Sequence, residues 1–215
     1  MFCSGNVTER MRAKSRRLST PLASSQPHVV VDLYAGIGYY TVPLLVSNTT
    51  CVVHACEWNE DSVLALRRNL DTNGVKERCR VWHGDNKEAF CNSNALLTSR
   101  REITVVTNDD ILLVPHLDSI ADSVSLGLLP SSRSGWILAA RALKREGGQL
   151  WLHENVRDTP EDIRALVCEA ENFFLVEFAK LDKPLQVACS HVEAVKNYAP
   201  KVVHVVLDIL CTSNC

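Results

Sequence analysis

The stretch Val29-Val-Val-Asp-Leu-Tyr-Ala-Gly-Ile-Gly-Tyr-Tyr-Thr-Val-Pro43, VVVDLYAGIGYYTVP, decides the fold. Its apolar run predicts a strand over Val29 to Leu33, and the helical spacing that follows predicts a helix from Tyr39 to Val46. Between them Gly36 and Gly38 form a turn in which backbone can approach a ligand closely without steric cost. A third glycine three positions on would complete a dinucleotide fingerprint, but Thr41 stands there. The pattern therefore favours a ligand without a phosphate over a pyrophosphate.

The same alternation continues outward. Val52 to Cys56 is a second strand, and Asn59-Glu60-Asp61 opens a helix with a capping side chain and acids in its first turn. Val63, Leu66 and Leu70 give that helix an apolar stripe, and Asn73-Gly74 ends it. Arg80 to His83 is a third strand and Ser123 to Leu128 a fourth. Trp136 to Leu143 is helical, Gln149 to Glu154 is a fifth strand, and Pro160 starts a helix that runs to about Leu181. Val187 to Val195 and Val202 to Ile209 alternate and are separated by Asn197-Tyr198-Ala199-Pro200, which reads as an antiparallel pair. These elements predict an α/β, doubly wound, Rossmann-like sheet of seven mostly parallel strands with an antiparallel C-terminal edge. Residues 86 to 118 are polar and weakly periodic, and are expected to be an insertion or a mobile element.

The domain plan is a basic arm over 1–28 and one catalytic domain over 29–215. Within the arm Arg10, Arg12, Lys14, Arg16 and Arg17 stand close together with no acid among them. A formal charge of −2 provides no general attraction to nucleic acid, so any such partner has to be held by a local patch of this kind. A solvated linker is the competing use of these residues. Nine scattered cysteines form no CxxC pair, which points to small core residues rather than to a metal. With no apolar run of membrane length and no signal-peptide pattern, the chain is expected to be soluble, cytoplasmic and monomeric.

Ligands on such sheets sit at the carboxyl ends of the strands, where the chemistry-bearing residues stand. Asp32, Gly36 and Gly38 follow the first strand. Glu57 ends the second, 25 residues after Asp32, where a carboxylate can accept hydrogen bonds from two ribose hydroxyls. Trp58 beside it can lie against an adenine face, and Asp85 and Asn86 after the third strand can read the adenine edge. A solvated acid is the plainer reading of Glu57 alone. Taken in order, the three strand ends make S-adenosylmethionine the best-fitting ligand.

The motifs DLYAGIGYYTVP, HACEWNEDSVLALRRNL, GDN, GLLPSS and VKNYAPKVVHVVLD together carry a resemblance to one branch of the class I methyltransferase superfamily. That branch groups the tRNA (guanine-N1)-methyltransferases acting 3′ of the anticodon with the wybutosine-synthesizing protein 2 family, and the second is the nearer likeness. MFCSGNVTERMR resembles the segment preceding the catalytic core. Members carry further N-terminal sequence, some of it used to grip tRNA, and this chain, starting close to the core, reads as a truncated form.

The resemblance implies transfer of the 3-amino-3-carboxypropyl group, not the methyl group, to the tricyclic wybutosine precursor in phenylalanine tRNA, with methylthioadenosine released. Gly127 stands where the related methyltransferases carry an asparagine that helps place guanine, leaving space for a larger base. Arg10 is matched by a basic residue in the resembling family and is expected to hold the carboxylate of the transferred group. A phosphate contact or a solvated arm are its other uses. Ser4, Tyr34 and Tyr39 complete the implied cofactor contacts. Ser131 and Ser132 suit a helix cap better than a substrate contact, His153 in HENV suits a core position, and Tyr198 suits a turn. Guanine-N1 methyl transfer on the same scaffold and a non-catalytic cofactor- or tRNA-binding module are the rival functions.

Overall fold

A computed structural model describes residues 26–90, 105–106, 111–112 and 117–213. Ser4, Arg10 and the rest of the basic arm up to residue 25 lie outside the described residues.

The chain alternates as β1 (His28–Asp32), α1 (Thr41–Ser47), β2 (Cys51–Glu57), α2 (Glu60–Thr72), β3 (Cys79–His83), the two-residue strands β4 (Val105–Val106) and β5 (Ile111–Leu112), β6 (Ser123–Leu126), α3 (Trp136–Ala142), β7 (Gly147–Arg157), α4 (Pro160–Lys180), β8 (Leu185–Ala199) and β9 (Val202–Ser213). Seven strands form one sheet in the order β3-β2-β1-β6-β7-β9-β8, and β4 with β5 forms a separate antiparallel pair. The first five sheet strands are parallel, while β9 runs antiparallel to both β7 and β8. This is the predicted doubly wound arrangement, and strand order reverses between β1 and β6. A crevice opens at such a reversal because the chain leaves the two neighbouring strands in opposite directions.

Alternation along β1 sends successive residues to opposite faces. Val31 packs with Trp136, Phe174 and Phe178 of α3 and α4, whereas Val30 packs with Leu44 and Leu45 of α1 and Val63, Leu66 and Leu70 of α2. The helix ends behave as their sequences dictate. Asn59 Oδ1 accepts from the Ser62 N–H at the start of α2, and Thr159 caps α4 ahead of Pro160. Lys183, almost fully buried, donates to the carbonyls of Ala140, Arg141 and Leu143 at the end of α3. That use satisfies carbonyls left over by the helix.

One expectation is adjusted, in the β8–β9 turn, while most of the polar segment 86–118 lies outside the described residues. The β8–β9 turn is tighter than Asn197 to Pro200 suggests, since Ala199 already pairs with Val202 and Lys201 takes φ +60. The polar segment after residue 86 starts with a one-turn helix whose Ala89 and Phe90 are buried, and the Leu117 N–H donates to the Ala89 carbonyl. Its two ends are thus closed against the core.

Candidate functional site

Two cavities meet at the carboxyl ends of the parallel strands. The first, of about 500 Å³, is walled by Leu33, Tyr34, Cys56, Glu57, Trp58, Gly84, Asp85, Asn86, Lys87 and Ser134. The second, of about 220 Å³, is walled by Asp32, Tyr34, Ala35, Gly36, Tyr39, Tyr40, Ser125, Gly127, Leu129, His153, Lys196 and His204. Tyr34 belongs to both walls.

In the first cavity, Glu57 is fixed by backbone. Its Oε2 accepts from the Gly36 N–H at 2.9 Å and its Oε1 from the Asn59 N–H at 2.8 Å. Gly36 reaches this position with φ +55, the left-handed region that a β-carbon resists. Each carboxylate oxygen carries two lone pairs, so both retain acceptor capacity toward a pair of hydroxyls. Asn86 Nδ2 donates to the Leu33 carbonyl at 3.1 Å, tying the end of β3 to that of β1, and Asp85 Oδ1 accepts from the Lys87 N–H. Trp58, in the same wall, is 72% exposed.

The second cavity has Asp32 at its floor. This carboxylate is 1% exposed; its Oδ2 accepts from Thr41 Oγ1 at 2.6 Å, and Ser125 also hydrogen-bonds to it. Burial pushes its pKa up to about 6, against the pull of these hydrogen bonds. His153 and His204, both buried, pair through Nδ1 and Nε2 at 3.2 Å. Among the described residues a β-carbon at Gly127 would meet nothing nearer than the Tyr34 carbonyl oxygen at 3.8 Å.

Of the residues expected to contact a cofactor, Tyr34, Glu57, Trp58, Asp85 and Asn86 share the first cavity, and Asp32, Gly36, Tyr39 and Gly127 the second. Gly38 is in neither wall. With φ +91 it lets α1 and α2 close together, and a β-carbon would fall 2.7 Å from Leu66 Cδ1. Lys87, Ser125, Lys196 and His204 were not singled out beforehand. Two of them, Lys196 and His204, sit inside a quoted motif, but alternation along an isolated motif does not say which face meets the cavity. Ser132 does not cap a helix through its side chain; its hydroxyl donates to Glu154 Oε1 instead.

The arrangement suits a nucleoside that carries a positive charge and no phosphate. Among the described residues the first wall holds the acids Glu57 and Asp85 and one cation, Lys87, and Asp32 is a buried acid in the second wall. Among the described residues a pyrophosphate would meet these acids without the arginines that anions favour. Among the described residues no group of His, Cys, Asp or Glu is placed to hold a metal ion.

Residues 1–100 match the TRM5/TYW2 methyltransferase domain. The chain is 37% identical over 242 aligned positions to a tRNA wybutosine-synthesizing protein 2 homolog of Danio rerio, with 98% of this chain and 51% of that protein covered. It thus spans about half the length of that curated relative. The solved structure of M. jannaschii TYW2 in complex with AdoMet matches with a TM-score of 0.71 at 24% identity, covering 100% of this chain and 78% of that one. The M. jannaschii tRNA m1G37 methyltransferase matches with a TM-score of 0.63 at 16% identity, covering 100% and 52%. At these identities the structural likeness is one of fold.

Proposed function

This chain belongs with the proteins of the TRM5/TYW2 methyltransferase domain, and from that premise we propose that it transfers the 3-amino-3-carboxypropyl group of S-adenosylmethionine to a modified guanosine 3′ of a tRNA anticodon. The acceptor in this reading is the tricyclic wybutosine precursor of phenylalanine tRNA, and methylthioadenosine is the second product. The sulfonium of the bound cofactor activates three attached carbons, so alignment with the acceptor decides which group moves.

The residues divide this work by position. Glu57 takes the ribose hydroxyls, Trp58 covers an adenine face, and Asp85 and Asn86 face its edge. Asp32 offsets positive charge at the junction of the two cavities, and the second cavity receives the acceptor. Arg10 holds the transferred carboxylate, and Ser4 completes the cofactor contacts. Arg12, Lys14, Arg16 and Arg17 serve phosphates of the tRNA. A monomer in the cytoplasm fits this reading, and the six free thiols among the described residues suit a reducing compartment.

The observation that carries the choice of group is Gly127. Its backbone does not demand glycine and its surroundings leave room for a side chain, yet the wall of the second cavity has none there. Similarity to the zebrafish wybutosine-synthesizing protein 2 homolog favours the same reading. The fold shared with the m1G37 methyltransferase supports guanine-N1 methylation as the second reading. Mass analysis of the modified nucleoside from precursor-bearing tRNA separates them. A gain of one aminocarboxypropyl group supports the proposal, a gain of one methyl group supports the second reading, and an unchanged nucleoside despite cofactor binding supports a binding module.

A further inference from the structure

One loop, from Gly127 to Ser134, contributes to both cavities: Gly127 and Leu129 to the second, Ser134 to the first. Its inner end is braced on Tyr34, whose hydroxyl lies 3.3 Å from Ser134 Oγ. From behind, the loop is tied to β7. The Asn155 N–H donates to the Pro130 carbonyl at 2.9 Å, and Ser131 forms an isolated bridge with Glu154.

Glu154 supplies the charged part of that tie. Its side chain is fully buried and belongs to neither cavity wall, because alternation along β7 turns His153 toward the second cavity and Glu154 to the other face. Glu154 Oε1 accepts from the Ser132 N–H at 2.8 Å and from the Ser132 hydroxyl at 2.9 Å, and that hydroxyl accepts from Trp136 Nε1 at 3.1 Å. Glu154 Oε2 accepts from Arg133 Nη1 at 2.8 Å. The same guanidinium grips Glu169 on α4 through Nε and Nη2 and lies 5.4 Å from the Trp136 ring centre. A buried carboxylate is costly unless fully hydrogen-bonded and paired, and apolar packing would hold a loop without that cost. What the carboxylate adds is a single geometry for the loop, through directional bonds to a backbone N–H and to two consecutive side chains.

We propose that Glu154 is a positioning residue that fixes the loop 127–134 and thereby sets how the nucleoside cavity and the acceptor cavity lie relative to each other. Its effect on the reaction rests on the transfer proposed above; its effect on the loop does not. Two variants of the full chain test it, Glu154→Gln, which keeps the shape but withdraws the charge from Arg133, and the milder Ser132→Ala. Thermal unfolding checks that each is folded.

Amide exchange followed by mass spectrometry, with and without methylthioadenosine, reads the loop directly. The expected result for Glu154→Gln is exchange about tenfold faster over 127–134 with β1 to β3 unchanged, a factor corresponding to the loss of one net hydrogen bond. Methylthioadenosine should protect residues near Gly84 and the loop together in the unmodified protein, and only those near Gly84 in the variant. Its affinity should change by less than about threefold, whereas kcat falls with KM for tRNA nearly constant and the share of methylthioadenosine among released nucleosides drops. Ser132→Ala should show the same pattern in weaker form. Unchanged loop exchange in both variants overturns the proposal, as does a normal kcat and product share in a variant whose loop is loosened. Failure of the unmodified protein to release methylthioadenosine would count against the transfer reaction alone, and exchange with bound methylthioadenosine would still decide the role of Glu154.

Discussion

The two cavities are built differently although they share Tyr34. Apart from Ser134, the first cavity takes its polar residues from the ends of three adjacent parallel strands, β1, β2 and β3, each within a few residues of its strand. Its key carboxylate, Glu57, is clamped by two backbone N–H groups from neighbouring turns. The second cavity is assembled from β1, β6, β7, β8 and β9, and brings Asp32 together with Lys196 and His204, which lie far away in sequence. One cavity is a local product of strand-turn-helix units; the other exists only when the antiparallel edge has docked. A binding step should therefore depend on the first and the choice of transferred group on the second.

That division can be broken from either side. Removing the clamp has the largest expected effect: Glu57→Ala leaves the Gly36 and Asn59 N–H groups without their acceptor. Cofactor and methylthioadenosine affinity should fall by about 100-fold or more, given roughly 1.5–3 kcal/mol for each hydrogen bond to a charged group. Calorimetry measures it, and near-normal affinity would detach Glu57 from the nucleoside.

Asp32, in the wall of the second cavity, gives the next effect. Its carboxyl ionises at 3.8 ordinarily and at about 6 in the folded protein. Between those values the folded state holds a proton that the unfolded chain has released, so this group makes stability fall as pH rises through the window and adds no further change above it. Asp32→Asn should remove that fall, a difference of at most about 3 kcal/mol between the two ends. Urea midpoints of both proteins across the window provide the check. His54, lowered by burial to about 4, acts in the opposite direction in both proteins and cancels from the comparison.

Gly127→Asn probes the second cavity alone. The open space at this position lets the variant fold, and methylthioadenosine binding should be retained while aminocarboxypropyl transfer drops by about tenfold, the scale of one misplaced contact near the reacting atoms. Equal losses in binding and transfer would merge the two cavities into one functional unit. Trp58→Ala has the smallest expected effect, about fivefold in nucleoside affinity, because the ring is largely exposed and only one face would be covered.

The same contrast explains what could be read from the sequence. Apolar runs, glycine turns and capping residues are local signals, so strands, helices and the doubly wound order were all legible, and with them Glu57, Trp58, Asp85 and Asn86. Gly38 was legible as a glycine but not in its use, since contact with Leu66 depends on how α2 packs on α1. Lys196 and His204 escaped because their side of the sheet is set by the β8–β9 register, which contains three irregularities between Cys189 and Ala199. Ser132 misled for a similar reason: a serine after proline looks like a cap until Glu154 arrives from β7.

The most direct test of the account is the identity of the nucleoside released on turnover with precursor-bearing tRNA. Methylthioadenosine is expected in one-to-one ratio with modified tRNA. Release of S-adenosylhomocysteine in its place would contradict it.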